Sequence, residues 1–153
     1  SGRYQIVLMP AQKQVSQMHA ANVFAERHYL YCGRGHTLFD VPDSDVTPVL
    51  LALQAFAGRS YMQEAPICGV DFRWSAATAH MESTLLLLLS GAYIGFLPDH
   101  YAAPALKAND LRALAPDRFT FEDTFQIVYS RERPTRAAKL MVSAISNAKA
   151  AVF

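Results

Sequence analysis

The chain has 153 residues, of which 52% are hydrophobic and 18% charged, and its formal net charge is +1. This length predicts one domain or two small lobes with a substantial core, and the composition excludes a disordered chain. The near-neutral charge, without a basic stripe, argues against a nucleic-acid-binding surface. Cys32 and Cys68 lack metal-ligand spacing and no signal peptide precedes them, which favours reduced thiols in a cytoplasmic protein.

The first half of the chain predicts short strands, loops and one helix. Residues 11–21 are polar and fit either a loop or a short exposed helix. Pro48 occupies a favoured first-turn position, and the apolar residues through Phe56 predict an amphipathic helix that stops at Gly58. The predicted strands of this half lie at residues 4–10, 27–32, 59–62 and 70–74, and the second of them has an alternative start at Phe24.

Residues 79–98 form the most regular stretch, a helical pattern that stops at a glycine and resumes as a strand. Leu85–Leu89 form a continuous apolar band, and Gly91 supplies the positive φ that ends helices. Tyr93–Leu97 is short and β-prone, and Pro98 closes it. We therefore predict a helix buried on most sides that leads to a buried strand. The apolar run is too short to cross a membrane, which takes roughly 20 residues.

The remaining residues predict a helix over 99–106, a turn at 109–110, strands over 111–114 and 119–130, and a terminal amphipathic helix over 136–152. Strands separated by helices indicate an α/β fold with a mixed or largely parallel sheet.

No catalytic constellation can be assembled from these residues. The five histidines show neither the spacing of a helical zinc pair nor a neighbouring cysteine ligand, so no metal site is predicted. Asp99 and His100 resemble an acid/base dyad, but without a nucleophile such a pair more often begins a helix. Arg34 and His36, at the end of a strand, face either a ligand or solvent. We predict no catalytic residue and no cofactor.

Two loops are candidates for ligand binding, because ligands of open α/β sheets bind beyond the carboxyl ends of strands. The alternative is that both are ordinary surface loops. The candidate residues are Tyr61, Met62, Gln63 and Glu64 in one loop and Pro10, Ala11 and Gln12 in the other.

Three stretches, taken in order, carry a family resemblance. They are residues 26–38, 80–98 and 111–138, and they include a helix, glycine and strand that end in a G-x-G-I-x-x-L-P-like signature. Tyr93 replaces the second glycine of that signature, and Thr37 replaces the usual proline after a histidine. Together the stretches resemble the effector-binding domain of LysR-type transcriptional regulators, whose two-lobed fold is similar to the type 2 periplasmic binding proteins.

The resemblance implies a Rossmann-like lobe of a type 2 periplasmic-binding-protein-like fold, with part of a second lobe. Residues 26–125 would form the second lobe, and residues 1–25 and 126–153 would be remnants of the first lobe and hinge. The winged helix-turn-helix domain that binds DNA in the family would be absent from this N-terminally truncated chain.

The resemblance further implies a small-molecule effector, such as a carboxylate or aromatic acid, held near the hinge without catalysis. It adds Phe96, Leu97 and Pro98 to the candidate binding residues. The intact protein would be a cytoplasmic homo-oligomer, a dimer or tetramer, that regulates transcription and binds DNA only through the absent domain. No membrane contact is implied.

Two other classes of protein share the fold. An enzyme such as a small dehydratase or deaminase-like protein would need a polar catalytic cluster at the cleft. A solute-binding transport protein would need a secretory signal, which a fragment can lose with its N-terminus, so the absence of a signal counts only mildly against it. The LysR-type interpretation is therefore preferred.

Overall fold

The computed structural model describes residues 6–11, 18–62, 65–130 and 135–152. The chain divides into two compact units. Unit 1 comprises Ser1–Glu26 and Glu122–Phe153, and unit 2 comprises Arg27–Phe121. The predicted second lobe, residues 26–125, covers nearly the same residues as unit 2, and its assignment as a lobe stays a prediction.

The described residues form seven strands and four helices. The strands are β1 Ile6–Pro10, β2 Met18–Gly33, β3 Ala55–Arg59, β4 Arg73–Thr78, β5 Ile94–Pro98, β6 Leu111–Ala113 and β7 Thr120–Ser130. The helices are α1 Pro48–Ala52, α2 Met81–Leu89, α3 Asp99–Lys107 and α4 Arg136–Val152.

The sheet of unit 2 has the strand order β2-β5-β3-β4, with β6 also paired to β2. Strand β3 runs parallel to both β4 and β5. Strand β2 runs antiparallel to β5 and β6. The sheet is therefore mixed, and the carboxyl ends of β3, β4 and β5 lie at the same edge.

Both faces of this sheet are covered, because its strands carry apolar side chains in both directions. On one face Leu30 and Phe56 pack with Leu51 of α1. On the other face Tyr31 packs with Leu88 of α2. The alternation along β2, with Leu30 on one face and Tyr31 on the other, follows from the two-residue period of a strand.

Unit 1 is built on strand β7, which pairs antiparallel with β1 and lies between β1 and β2 in the strand order. Phe24 of β2 stacks on Phe125 of β7 with ring centroids 4.9 Å apart. Val7 and Leu8 of β1 are 40% and 50% exposed. Because consecutive strand residues point to opposite faces, β1 exposes apolar side chains on both faces.

Three predictions in the middle of the chain are wrong. The helix that was predicted to reach Gly58 ends at Ala52, and Phe56 and Gly58 belong to β3. Residues 60–62 form a turn rather than a strand, and the strand predicted at 70–74 instead begins at Arg73.

The prediction that the helix carrying Leu85–Leu89 is buried on most sides is also wrong. Leu88 is fully buried, whereas Leu86 is 68% and Leu89 is 39% exposed. Helix α2 packs against the sheet on one side only, so a continuous run of leucines must also place some of them on the outer side. The prediction for Gly91 is confirmed, because its φ is +75° directly after the helix.

Strand β2 is longer than predicted. It begins at Met18, inside the stretch predicted as a loop or short helix, and residues 12–17 lie outside the described part of the chain. The later elements are confirmed within one or two residues, as α3, β6, β7 and α4.

Candidate functional site

The candidate site is the edge of unit 2 where the three parallel strands end. Strand β3 ends at Arg59, β4 at Thr78 and β5 at Pro98. The amide of Ser60 donates to the carbonyl of Thr78 at 2.8 Å, which holds the ends of β3 and β4 side by side. At the same edge His28 of β2 pairs with Pro98.

Two of the predicted binding residues lie directly at this edge. Tyr61 and Met62 form the turn after β3, which is closed by a 2.9 Å hydrogen bond from the Met62 amide to the Arg59 carbonyl. Tyr61 is 57% exposed, so most of its ring is accessible. Gln63 and Glu64 lie outside the described residues.

The three predicted residues of β5 have different surroundings. Pro98 ends the strand and precedes the first turn of α3. Phe96 and Leu97 are 4% and 0% exposed, and their side chains pack in the two hydrophobic cores. Phe96 also makes an edge contact with Phe121 at 5.0 Å. Only Pro98 of the three therefore lies at the edge itself.

The remaining predicted residues belong to unit 1. Pro10 pairs with Phe125, and the amide of Ala11 donates to the carbonyl of Thr124 at 2.7 Å. Ala11 is exposed and directly follows β1. Gln12 lies outside the described residues.

Arg59 is a residue of this edge that sequence reasoning missed. Its Nη2 donates to the Ala79 carbonyl at 3.4 Å, and its guanidinium lies 5.2 Å from the ring centroid of Tyr61. The Nε atom is buried, and among the described residues it has no hydrogen-bond partner. The sequence does carry a signal for Arg59, because it is a basic residue at the end of a strand. The strand predicted from the sequence at residues 59–62, however, begins at Arg59 instead of ending there.

The first turn of α2 lies next to Arg59 in this edge. His80 precedes the helix with extended backbone angles, and its side chain makes no capping hydrogen bond. The hydroxyls of Thr78 and Thr84 are 2.6 Å apart and buried, which fixes α2 to the end of β4. The first amides of a helix lack intrahelical acceptors and carry a partial positive charge.

The Asp99–His100 pair begins α3 at the same edge. Asp99 Oδ1 accepts the His100 amide at 2.6 Å and lies 3.6 Å from His100 Nδ1. Both side chains are more than half exposed. This arrangement matches the alternative interpretation of the pair as a polar helix start.

His28 contributes an aromatic surface beneath the edge. It is buried and stacks on Phe121 with ring centroids 4.8 Å apart and an angle of 6° between the planes.

On the opposite face of β2, burial and the nearby Asp99 carboxylate raise the pKa of Tyr31 well above its usual value. Tyr31 therefore stays a neutral phenol near neutral pH.

The other titratable groups singled out in the sequence lie away from this edge. His36 is buried, its Nδ1 accepts the Leu38 amide at 3.1 Å, and burial lowers its pKa. Arg34 lies 3.7 Å from the Asp110 carboxylate. Burial raises the pKa of Cys32 to about 12. Within the described residues, no group of histidines, cysteines and carboxylates has the arrangement of a metal site.

Two shallow depressions lie elsewhere on the surface. One of about 330 Å³ in unit 2 is bordered by Asp43, Ser44, Ala115, Asp117 and Arg118. Another of about 260 Å³ in unit 1 is bordered by Ile6, Thr135, Ala137, Ala138 and Met141. Neither contains a predicted binding residue.

Comparison with known proteins identifies the family. The profile of the LysR substrate binding domain matches residues 1–150. The chain belongs to this family. The resemblance inferred from the sequence motifs is therefore confirmed, and it extends over almost the whole chain.

One curated relative illustrates the membership. The chain is 31% identical over 148 residues to the HTH-type transcriptional activator BauR of Pseudomonas aeruginosa, which covers 95% of this chain and 48% of the activator. The chain thus spans about half the length of this relative.

Two solved regulatory domains share the fold. The regulatory domain of HypT from Salmonella typhimurium aligns with a TM-score of 0.74 and 16% identity over 99% of this chain and 75% of that domain. The regulatory domain of CrgA, a LysR-type transcriptional regulator from Neisseria meningitidis, aligns with a TM-score of 0.75 and 15% identity over 94% and 74%. These alignments confirm the predicted fold class.

Proposed function

We propose that this chain is the effector-sensing part of a LysR-type transcriptional regulator, without catalytic activity of its own. The observation that supports this most directly is the match of residues 1–150 to the LysR substrate binding domain. The exposed edge at Tyr61, with strand ends and a helix N-terminus beside it, has the chemistry that small ligands use in α/β sheets.

The proposed mechanism is a ligand-dependent change in the equilibrium between two states of the regulator. A small molecule shifts such an equilibrium only by its difference in affinity for the two states. Strands β2 and β7 each continue from one unit into the other, at Glu26–Arg27 and Phe121–Glu122. These two crossings are the proposed hinge through which the bound effector changes DNA binding by the regulator.

We propose that the first lobe is completed, and the winged helix-turn-helix domain supplied, by residues of the full-length regulator that precede Ser1. This agrees with the share of the BauR and HypT chains that this chain covers. It also agrees with the exposed apolar side chains on both faces of β1, at Val7 and Leu8. The regulator is proposed to be a cytoplasmic homo-oligomer. As a separate finding, none of the described helices has the length and hydropathy to cross a membrane.

A screen of the 153-residue chain against small metabolites tests the sensing function. We expect a ligand that binds the folded state to raise the melting temperature in a concentration-dependent manner. Backbone amide NMR on the same samples should place the shift changes near residues 59–62. The proposal fails if no metabolite in a broad panel of organic acids, amines, amino acids and sugars changes either readout.

A second measurement tests whether this chain binds DNA by itself. Because the net charge is only +1, the chain by itself should not retard a DNA fragment in a gel at physiological salt. A full-length regulator should retard its operator, and a ligand found in the screen should change that affinity. DNA binding by this chain alone would contradict the proposal that a separate domain of the regulator binds DNA.

A further inference from the structure

Two stacked aromatic pairs join strands β2 and β7, and they lie on either side of the positions where these strands pass from one unit to the other. In unit 1, Phe24 stacks on Phe125 with ring centroids 4.9 Å apart and 12° between the planes. In unit 2, His28 stacks on Phe121 at 4.8 Å and 6°. Three residues lie between the pairs on each strand, so both stacks occupy the same register of one strand pair.

The stack in unit 2 is anchored in the core of that unit. His28 is buried, and its carbonyl accepts the Thr120 hydroxyl at 2.9 Å. Phe121 makes an edge contact with Phe96 of β5 at 5.0 Å, and Phe96 makes another with Phe72 at 5.8 Å. Such ring contacts add to the stability gained by burial. His28 and Phe121 therefore cannot separate without disturbing the core of unit 2.

The stack in unit 1 is flanked by buried residues on both strands. Val23 precedes Phe24 on β2, and Gln126 follows Phe125 on β7, and both flanking residues are buried. Phe125 also pairs with Pro10 of β1. Strand β7 is therefore held from both sides at this position, by β1 and by the ring of Phe24.

The residues between the two stacks form a weaker part of both strands. They are Ala25, Glu26 and Arg27 of β2 and Glu122, Asp123 and Thr124 of β7, here called the crossing segments. None of these six residues is buried, and four of them are charged. Segments with few buried apolar contacts open at a lower free-energy cost than a core does. A change of backbone angles is therefore least unfavourable in the crossing segments.

We propose that the change between the two states of the regulator is a bend of the crossing segments, and that the two stacks confine the bend to them. The inference rests on the proposed sensing function and names the residues that move. Hinges are a few residues whose backbone angles absorb the change between states. Because a stack closes each end of the crossing segments, the strands beyond the stacks move with their own unit.

Amide hydrogen exchange of the 153-residue chain, followed by NMR without any ligand, tests where the strands open. After correction for intrinsic rates, we expect the amides of the crossing segments to exchange about tenfold faster than those of residues 28–31 and 126–128. Equal protection along the whole of β2 and β7 would overturn the inference.

A variant and a matched control test the role of the rings in unit 1. Phe24→Leu keeps an apolar side chain but removes the stack, so exchange at Val23 and Gln126 should become about tenfold faster. His19→Leu removes another stacked pair of the same strands, His19 on Tyr129 at 5.2 Å, which does not border the crossing segments. This control should leave exchange at Val23 and Gln126 unchanged. Equal effects of the two variants would overturn the role of the stacks.

A second variant tests the stack in unit 2 and does not depend on how well Phe24→Leu folds. His28→Leu should extend the fast exchange to the Leu30 amide, which donates to the Phe119 carbonyl at 3.2 Å. The amides of β3 should keep their exchange rates, because that strand does not contact the stack in its ladder. Unchanged exchange at Leu30 in folded His28→Leu would contradict the proposed confinement.

The outcomes separate this inference from the sensing function. If exchange follows the expected pattern and nothing in the metabolite panel binds, the confinement of the bend by the stacks stands and the sensing function fails. If a metabolite binds and the crossing segments are as protected as their neighbours, the sensing function stands and this inference is overturned.

Discussion

The backbone of Gly91 lies against that of Gly35, so a methyl group on Gly91 would be 2.8 Å from the Gly35 carbonyl carbon. Gly91 also has a φ of +75°. We expect Gly91→Ala to lower the free energy of unfolding by about 2–4 kcal/mol, because steric overlap adds to backbone strain. Gly69 has nearly the same φ, +74°, with nothing within 4 Å, so Gly69→Ala should cost only about 1 kcal/mol. Equal losses in urea unfolding would contradict this account.

The two sides of helix α2 should differ sharply in their sensitivity to mutation. Leu88 is fully buried between α2 and the sheet, so Leu88→Ala should cost about 2–5 kcal/mol. Leu86 is 68% exposed, so Leu86→Ala should change stability by less than about 0.5 kcal/mol. Chemical denaturation of both variants measures the difference. A large loss in the monomeric Leu86 variant would show that this leucine is buried in solution.

The ion pair between Asp43 and Arg112 holds the turn at Asp43 to strand β6. Asp43 Oδ1 accepts from Arg112 Nη2 at 2.6 Å and from the Ala115 amide at 3.1 Å. Arg112 also donates to the carbonyls of Leu38 and Phe39. Since Asp43 is half exposed, Asp43→Ala should cost only about 1–2 kcal/mol. Asp45→Ala is the matched control and should be nearly neutral, since the side chain of Asp45 accepts a hydrogen bond only from the Ser44 hydroxyl in the described structure.

Protonation of His36 should destabilise the fold at acidic pH. Its Nδ1 accepts the Leu38 amide, and burial lowers its pKa in the folded state below the usual value of about 6.5. The unfolded chain therefore binds the proton first, and stability is lost as the pH falls below about 6.5. The slope reaches at most about 1.4 kcal/mol per pH unit.

Urea unfolding between pH 8 and pH 5 measures this dependence. The variant His36→Gln should show a shallower pH dependence than the unchanged chain. His80→Gln, which replaces an exposed histidine, is the matched control variant. A pH dependence that survives in His36→Gln would assign the effect to other groups.

Both cysteines should react slowly with iodoacetamide at neutral pH. Burial raises the pKa of Cys32 to about 12. Burial also raises the pKa of Cys68, whose thiol donates to the Thr120 carbonyl at 3.4 Å. Because the thiolate is the reactive form, mass spectrometry should detect little alkylation until urea unfolds the chain. Rapid labelling of Cys32 in the folded protein would contradict its burial.

The strand that carries Arg59, β3, could not be predicted from the sequence. Residues 55–59 contain two alanines and a glycine, which have little intrinsic preference for a strand. Their conformation depends on packing against Trp74 of β4, which is distant in sequence. A side chain at position 58 would collide with the Trp74 indole, so this position has to be glycine. Such a packing requirement cannot be read from local periodicity. By contrast, the helix boundaries near Gly91 and Pro98 followed from local backbone rules and were predicted correctly.

The candidate site was predicted only in part, because the end of β3 was assigned to the wrong residues. The loop containing Tyr61 was located by the rule that ligands bind beyond strand ends, and the structure places Tyr61 and Met62 at that edge. The same rule, applied with the correct end of β3, would have included Arg59. Phe96 and Leu97 were included on the family resemblance, but strand alternation directs their side chains into the two cores.

The division of the chain into two units has a consequence for the order of folding. Unit 2 is one continuous segment, Arg27–Phe121, whereas unit 1 combines residues from both ends of the chain. Contacts within unit 1 therefore close a loop that contains all of unit 2, and closing that loop costs less entropy once the segment is compact. Hydrogen exchange during refolding should protect the amides of β3 and β5 before those paired between β1 and β7. A protein built this way would assemble its continuous unit first and join its two ends last.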